Sequence, residues 1–187
     1  MRSKDLKGVI LAGGYGTRMG GVEKGLMMIH DMPQYMFLYK LLQRVTDDVI
    51  LSLRQEQVSL YPVPEAMTVV PDEYRDIGPM GGILTCLKQL RSPLLVLSCD
   101  LYRVEKKTLD ILLLYRDSSY FGTVFYDEVN GYLQPLCAIY ETSCIPVLEN
   151  TVAAGDYSLH RMIKSSNFRI VNTQETLWFV NMNFTDS

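Results

Sequence analysis

The residues with the clearest chemical potential form a glycine-rich stretch, Leu11-Ala12-Gly13-Gly14-Tyr15-Gly16-Thr17-Arg18-Met19-Gly20, followed by Gly21 and Lys24. The stretch directly follows a short apolar run that reads as a strand, Gly8 to Leu11. In open α/β sheets, ligands bind beyond the carboxyl ends of the strands. Glycine tolerates positive φ and lets backbone approach a ligand closely. Successive N–H groups in such a loop cradle phosphate oxygens. Arg18 and Lys24 add fixed positive charge where a triphosphate would lie. The spacing is not that of a Walker A loop. It also departs from the dinucleotide fingerprint, because Met19 stands at the third glycine position.

Three further groups accompany this loop. Ser98-Cys99-Asp100 ends the most apolar run of the chain, and a carboxylate at such a strand end is expected to reach the crevice that the glycine loop lines. Magnesium needs one or two carboxylates plus phosphate oxygens, so Asp100 is the natural ligand for Mg²⁺. Pro71-Asp72, followed by Asp76-Ile77-Gly78-Pro79-Met80-Gly81-Gly82, is a polar loop feeding a helix through glycines. It is suited to holding a base or ribose through backbone contacts and Asp72. Near the C-terminus, Val180-Asn181-Met182-Asn183 reads as part of a strand, with Asn181 and Asn183 on one face. The two histidines, His30 and His160, have no serine or cysteine arranged with them as a triad would require.

The elements that must position these residues follow from periodicity. Short apolar strands are expected at Gly8 to Leu11, Val49 to Leu53, Met67 to Val70 and Leu94 to Leu97. They alternate with helices at Gln34 to Val45, Met80 to Leu90 and Lys106 to Tyr115. In the second half, Asn130-Gly131 marks a hairpin between Gly122 to Tyr126 and Tyr132 to Tyr140. Two helical pieces, Ile145 to Val152 and Ser158 to Ile163, and strands near Phe168 to Val171 and Trp178 to Val180 complete the pattern. Strand–helix alternation of this kind predicts an α/β fold, a three-layer α/β/α sandwich around a mixed, mostly parallel sheet.

The 187 residues suit a single domain. Residues 1–105 would form the nucleotide-binding half and residues 106–187 the acceptor-substrate half. Net charge is −3 and no Lys/Arg-rich run occurs, which argues against a nucleic-acid partner. No stretch approaches the roughly 20 apolar residues of a membrane span, and the polar N-terminus is unlike a signal peptide. A cytoplasmic protein is expected. The four cysteines, Cys86, Cys99, Cys137 and Cys144, show no C-x-x-C pairing and read as buried free thiols.

In this order, the four groups resemble the molybdenum cofactor guanylyltransferase family. The most specific part runs from Leu11 to Gly25. Supporting parts are Gly78 to Ile83, Ser98-Cys99-Asp100, Gln134-Pro135-Leu136, Gly155-Asp156-Tyr157-Ser158-Leu159 and Asn181-Met182-Asn183. The resemblance implies a Rossmann-like nucleotide-binding sandwich that transfers GMP from MgGTP to the terminal phosphate of molybdopterin, releasing pyrophosphate. It implies nucleotide contacts from Leu11, Ala12, Gly13, Gly14, Lys24, Asp72, Gly78 and Asp100. Lys24, Arg18 and Asp100 would be the catalytic set, with magnesium on Asp100. Asn181 and Asn183 would face the pterin. Transient contact with other proteins of cofactor biosynthesis would fit the same role. Tyr102 stands where many relatives have proline, and the chain ends in Phe184-Thr185-Asp186-Ser187 where relatives continue into a final helix. The glycine loop does not declare the base. A cytidylyltransferase, a sugar-phosphate nucleotidyltransferase and a nucleotide-binding protein without catalysis are the other readings its residues allow.

Overall fold

The computed structural model describes residues 3–14, 23–29 and 31–180. The chain opens with β1 (Lys7–Leu11), a small hairpin of β2 (Met28–Ile29) and β3 (Met32–Pro33), then α1 (Gln34–Leu42) and β4 (Val49–Leu53). It continues through β5 (Thr68–Pro71), α2 (Pro79–Leu90), β6 (Leu94–Ser98) and α3 (Lys106–Tyr115). The second half holds β7 (Gly122–Asp127), β8 (Tyr132–Tyr140), α4 (Ile145–Ala153), α5 (Leu159–Lys164) and β9 (Arg169–Thr173).

The seven main strands form one sheet in the order β5-β4-β1-β6-β8-β7-β9. β1 pairs in parallel with both β4 and β6, and β7 pairs in parallel with β9. β8 is antiparallel to both of its neighbours, so it alone runs against the other six. From β1 the chain steps outward to β4 and β5, then crosses back to β6 on the other side of β1. That reversal opens a crevice at the carboxyl ends of the central strands.

Period-two alternation divides the core between the two faces. Ile10, Leu51, Leu95, Leu97 and Phe125 meet α1 and α3 on one side. Val9, Leu11, Ile50, Val96 and Val124 meet α2, α4 and α5 on the other. This is the expected three-layer sandwich. Central strands apolar on both faces are what a sheet covered on both sides requires. Each helix contributes one apolar stripe, Met80, Ile83, Leu84 and Leu87 in the case of α2.

Some expected boundaries move. α1 stops at Leu42 rather than Val45, because the Leu42 carbonyl accepts from Val45 N, Thr46 N and the Thr46 hydroxyl in a closing turn. β5 includes Pro71, which is tolerated because β5 is an edge strand and Pro71 its last residue. Trp178 to Val180 is not a strand. Thr176–Phe179 forms a short 3-10 turn whose Trp178 and Phe179 rings pack on Phe125, with centroids 6.0 and 5.4 Å away. An apolar run of that length carries no period that separates a strand from a buried turn.

A charge cluster closes the end of the sheet opposite the crevice. Arg116, just after α3, makes paired hydrogen bonds to Glu141, just after β8, at 2.7 and 3.1 Å. It also reaches Asp5 at 2.9 and 3.1 Å. All four cysteines are buried and free. Among the described residues, no helix is long and apolar enough to cross a membrane.

Candidate active site

A cleft of about 900 Å³ lies over the carboxyl ends of β1, β4 and β5. Leu11, Gly13 and Gly14 line it from the end of β1, and Ser52 and Arg54 from β4. Asp72 and Gly78 line it from the loop between β5 and α2. The volume falls in the range typical of small-molecule sites.

The glycines here answer to geometry. At Gly13 a Cβ would lie 3.3 Å from the Arg54 backbone nitrogen, so the loop leaves β1 pressed against the end of β4. Gly78 has φ 64° and ψ −151°, a conformation essentially reserved for glycine. It turns the chain into α2, with Pro79 at the first helical position. The α2 amino terminus, the positive end of its dipole, thereby faces the cleft, a favourable placement for an anion.

Asp72 is half-buried at the cleft floor. Its Oδ1 accepts from Tyr74 N at 2.9 Å and from the Thr85 hydroxyl at 3.0 Å. Burial raises its pKa above the usual carboxylate value, and those two donors oppose the rise. The carboxylate is therefore fixed in direction, with its other oxygen close to the first turn of α2.

Lys24 opens a short 3-10 turn, Lys24–Leu26, and is half-buried. It is not among the residues lining the cleft. Its position depends on Glu23, whose carboxylate accepts from Gln57 Nε2 and lies 3.7 Å from the Arg54 guanidinium. Gln57 also accepts from Arg54 N at 3.0 Å. This Glu23–Gln57–Arg54 cluster has no signal in the sequence, where Glu23 stands more than thirty positions from the other two.

Asp100 occupies a second, smaller cavity of about 150 Å³. Ser98, two residues earlier, reaches the large cleft, and Asp100 does not line it. The expectation that Asp100 and the glycine loop share one crevice thus becomes two adjoining cavities at one strand end. Asp100 Oδ1 is buried and has no hydrogen-bond partner among the described residues. The turn that carries it is held from below, where Leu101 N donates to Ser98 O and the buried Gln34 amide donates to Leu101 O at 3.0 Å. His160 and Gln134 line the same cavity. His160 is exposed, and partial burial and the nearby Lys164 lower its pKa.

Gly155 to Leu159 has a structural role. Gly155 turns with φ 73°, Asp156 accepts from Ser158 N at 2.9 Å, and Arg161 grips Asp156 with two bonds of 2.6 and 2.9 Å. The segment caps α5 and so fixes where His160 stands. Arg18, Asn181 and Asn183 lie outside the described residues, as do Gly16, Gly20, Gly21 and His30.

The family described as the MobA-like NTP transferase domain matches residues 8–171. The chain belongs to that family. Its catalysis is nucleotidyl transfer. A molybdenum cofactor guanylyltransferase from Pseudomonas entomophila is 33% identical over 159 residues, covering 83% of this chain and 80% of that protein. A solved structure, molybdopterin-guanine dinucleotide biosynthesis protein A from Archaeoglobus fulgidus, superposes with a TM-score of 0.76. It is 22% identical and covers 96% of this chain and 93% of the other, a likeness of fold. A Mycobacterium tuberculosis protein solved in complex with manganese shares the fold at TM-score 0.63 and 16% identity, covering 90% and 88% of the two chains.

Proposed function

We propose that this nucleotidyltransferase moves GMP from MgGTP to the terminal phosphate of molybdopterin and releases pyrophosphate. The observation that carries the reading is the buried Oδ1 of Asp100, without a partner among the described residues, beside a nucleotide-sized cleft. Such an oxygen calls for a cation. Among the described residues no cluster of three or more metal-ligating side chains exists. One carboxylate completed by phosphate oxygens and water is a normal arrangement for magnesium, so the donor set fits it. The choice of guanine and of the pterin acceptor rests on the names of the similar curated proteins.

In this reading Leu11, Ala12, Gly13 and Gly14 meet the guanine and ribose side. Asp72 and Gly78 hold the nucleotide from the opposite wall. Lys24 and Arg18 offset the repulsion between two polyanions and stabilise charge developing on the α-phosphate and pyrophosphate. Bound magnesium supplies charge neutralisation on the triphosphate. Asn181 and Asn183 orient the acceptor.

The attacking phosphate oxygen is already anionic at neutral pH, so no general base is needed. Transfer is direct and in line, without a covalent enzyme intermediate. Detection of a nucleotidylated side chain by mass spectrometry overturns that step. The function itself is tested by pyrophosphate release from GTP, CTP, ATP and dTTP, each with and without molybdopterin. Release that requires GTP and molybdopterin together supports the reading. Preference for CTP moves the chain to cytidylyl transfer. Release with no nucleotide removes catalysis.

A further inference from the structure

Two residues that line the small cavity each carry a buried polar atom, and the two atoms have opposite needs. These are Asp100 Oδ1, an acceptor with no donor among the described residues, and Gln134 Nε2, a donor with no acceptor among them. Gln134 is only 9% exposed, and both residues line the cavity. Leaving a buried amide unpaired carries its full desolvation penalty, so its retention calls for a ligand that offsets it. An amide N–H pair asks for an oxygen. Beside an acceptor that asks for a cation, the complementary ligand is an oxyanion bridging to that cation.

The backbone explains how Gln134 comes to face inward. β8 pairs with β6 as far as Leu97 opposite Cys137. Three residues further along each chain, in opposite directions, stand Asp100 and Gln134. On its other side β8 bulges. Between the pairs Val124–Ala138 and Tyr126–Leu133, β7 advances two residues while β8 advances five. Bulges of this kind re-aim side chains and gather beside active sites. Pro135 has no N–H to lose from the ladder, and its carbonyl is held by the Tyr140 hydroxyl at 2.8 Å. The bulge is thus anchored independently of the Gln134 side chain. Leu101, Leu133 and Pro135 give the cavity apolar walls. Its volume of about 150 Å³ gives room for a phosphate group.

We propose that Gln134 binds the phosphate of the acceptor substrate and sets it beside Asp100, with the remainder of the acceptor outside the small cavity. This rests on the phosphate-monoester acceptor proposed above.

The decisive variant is Gln134→Leu in the full chain, examined three ways. Calorimetric titration with molybdopterin, in the presence of magnesium and a non-transferable GTP analogue, should show affinity reduced roughly 10- to 100-fold, as for loss of a hydrogen bond to a charged group. Titration with the GTP analogue alone should match wild type. Thermal unfolding of the free protein should be unchanged or shifted upward, because the substitution removes an unpaired buried donor. Molybdopterin affinity within twofold of wild type overturns the proposal. So does an equal loss of GTP-analogue affinity, which would assign Gln134 to the triphosphate. A clearly lowered melting temperature shows a packing role and overturns it as well. If wild type binds no molybdopterin, the functional reading fails, and titration with inorganic phosphate and magnesium decides Gln134 separately. Phosphate binding lost in the variant keeps the oxyanion site, and phosphate binding equal in both proteins removes it.

Discussion

Glu23 accepts a hydrogen bond from the side-chain amide of Gln57, which clamps the segment entering Lys24 to the turn beyond β4. Tyr61 adds a longer contact to the same carboxylate at 3.4 Å. The clamp fixes one boundary of the glycine loop without touching the cleft. Glu23→Ala should therefore raise KM for GTP roughly 10-fold or more, the scale of a lost charge-assisted hydrogen bond. Glu23→Gln, which keeps an acceptor, should recover part of the loss. Steady-state kinetics on the two variants check this, and equal KM values for wild type and Glu23→Ala remove the positioning role.

The first turn of α2 has no room for a side chain at Gly82. A Cβ there would meet Ser52 Oγ at 2.9 Å and Leu11 Cδ2 at 3.1 Å. Gly82→Ala should destabilise the fold by about 1–3 kcal/mol, the usual range for overpacking. Adding Ser52→Ala should restore part of it, because the nearest clashing atom is then gone. Urea denaturation of the single and double variants measures both effects.

Asp72 gives a pH signature. Burial raises its folded pKa above the ordinary 3.8. The folded state therefore binds a proton more tightly than the unfolded chain does. The associated stability is fully present below 3.8 and is lost as pH rises through the higher folded value. Asp72→Asn should remove that slope from the stability of the free protein while weakening nucleotide binding. Denaturant melts across the acid range, compared with wild type, provide the check.

At the opposite end of the sheet the sign reverses. The Arg116 guanidinium holds Asp5 down at about 2. Its contribution is present above 3.8 and lost as pH falls through about 2. The destabilisation caused by Asp5→Asn should shrink across that window. Arg116→Met, which strands the buried Glu141 carboxylate, should cost about 3–5 kcal/mol, and kcat at permissive temperature should stay near wild type.

Asp100→Asn keeps the shape of the side chain and removes its charge. Metal-dependent transfer should fall at least 100-fold with the melting temperature little changed, and chelation should abolish activity in wild type. Full activity in the variant would detach the metal from Asp100.

Much of the framework was legible in the residues. α3 and β8 coincide with their predicted spans, because a clean apolar period defines the helix and Asn130-Gly131 pins the hairpin. Gly131 does adopt φ 76°, as that turn requires. Other features had no local signal. Trp178 and Phe179 were read as a strand because apolar character alone does not reveal a turn plugged against Phe125. The two-residue strands β2 and β3 are too short to show a period. Gln134 stood in a motif, yet only burial and an absent partner give its amide a meaning. Glu23 and Gln57 required the fold to bring them together.

The lone reversed strand also has an evolutionary consequence. Because β8 runs backwards, its opening residues return to the rim where its two antiparallel neighbours finish, and the later half of the gene thereby supplies material to the same rim. In the proposed reading, donor recognition is encoded early, in the glycine loop and the approach to α2, and the pocket beside Asp100 is completed late. On that assignment, drift in the bulge would retune what receives the nucleotide while the segment that chooses the nucleotide stays untouched, a modular division within one undivided sheet.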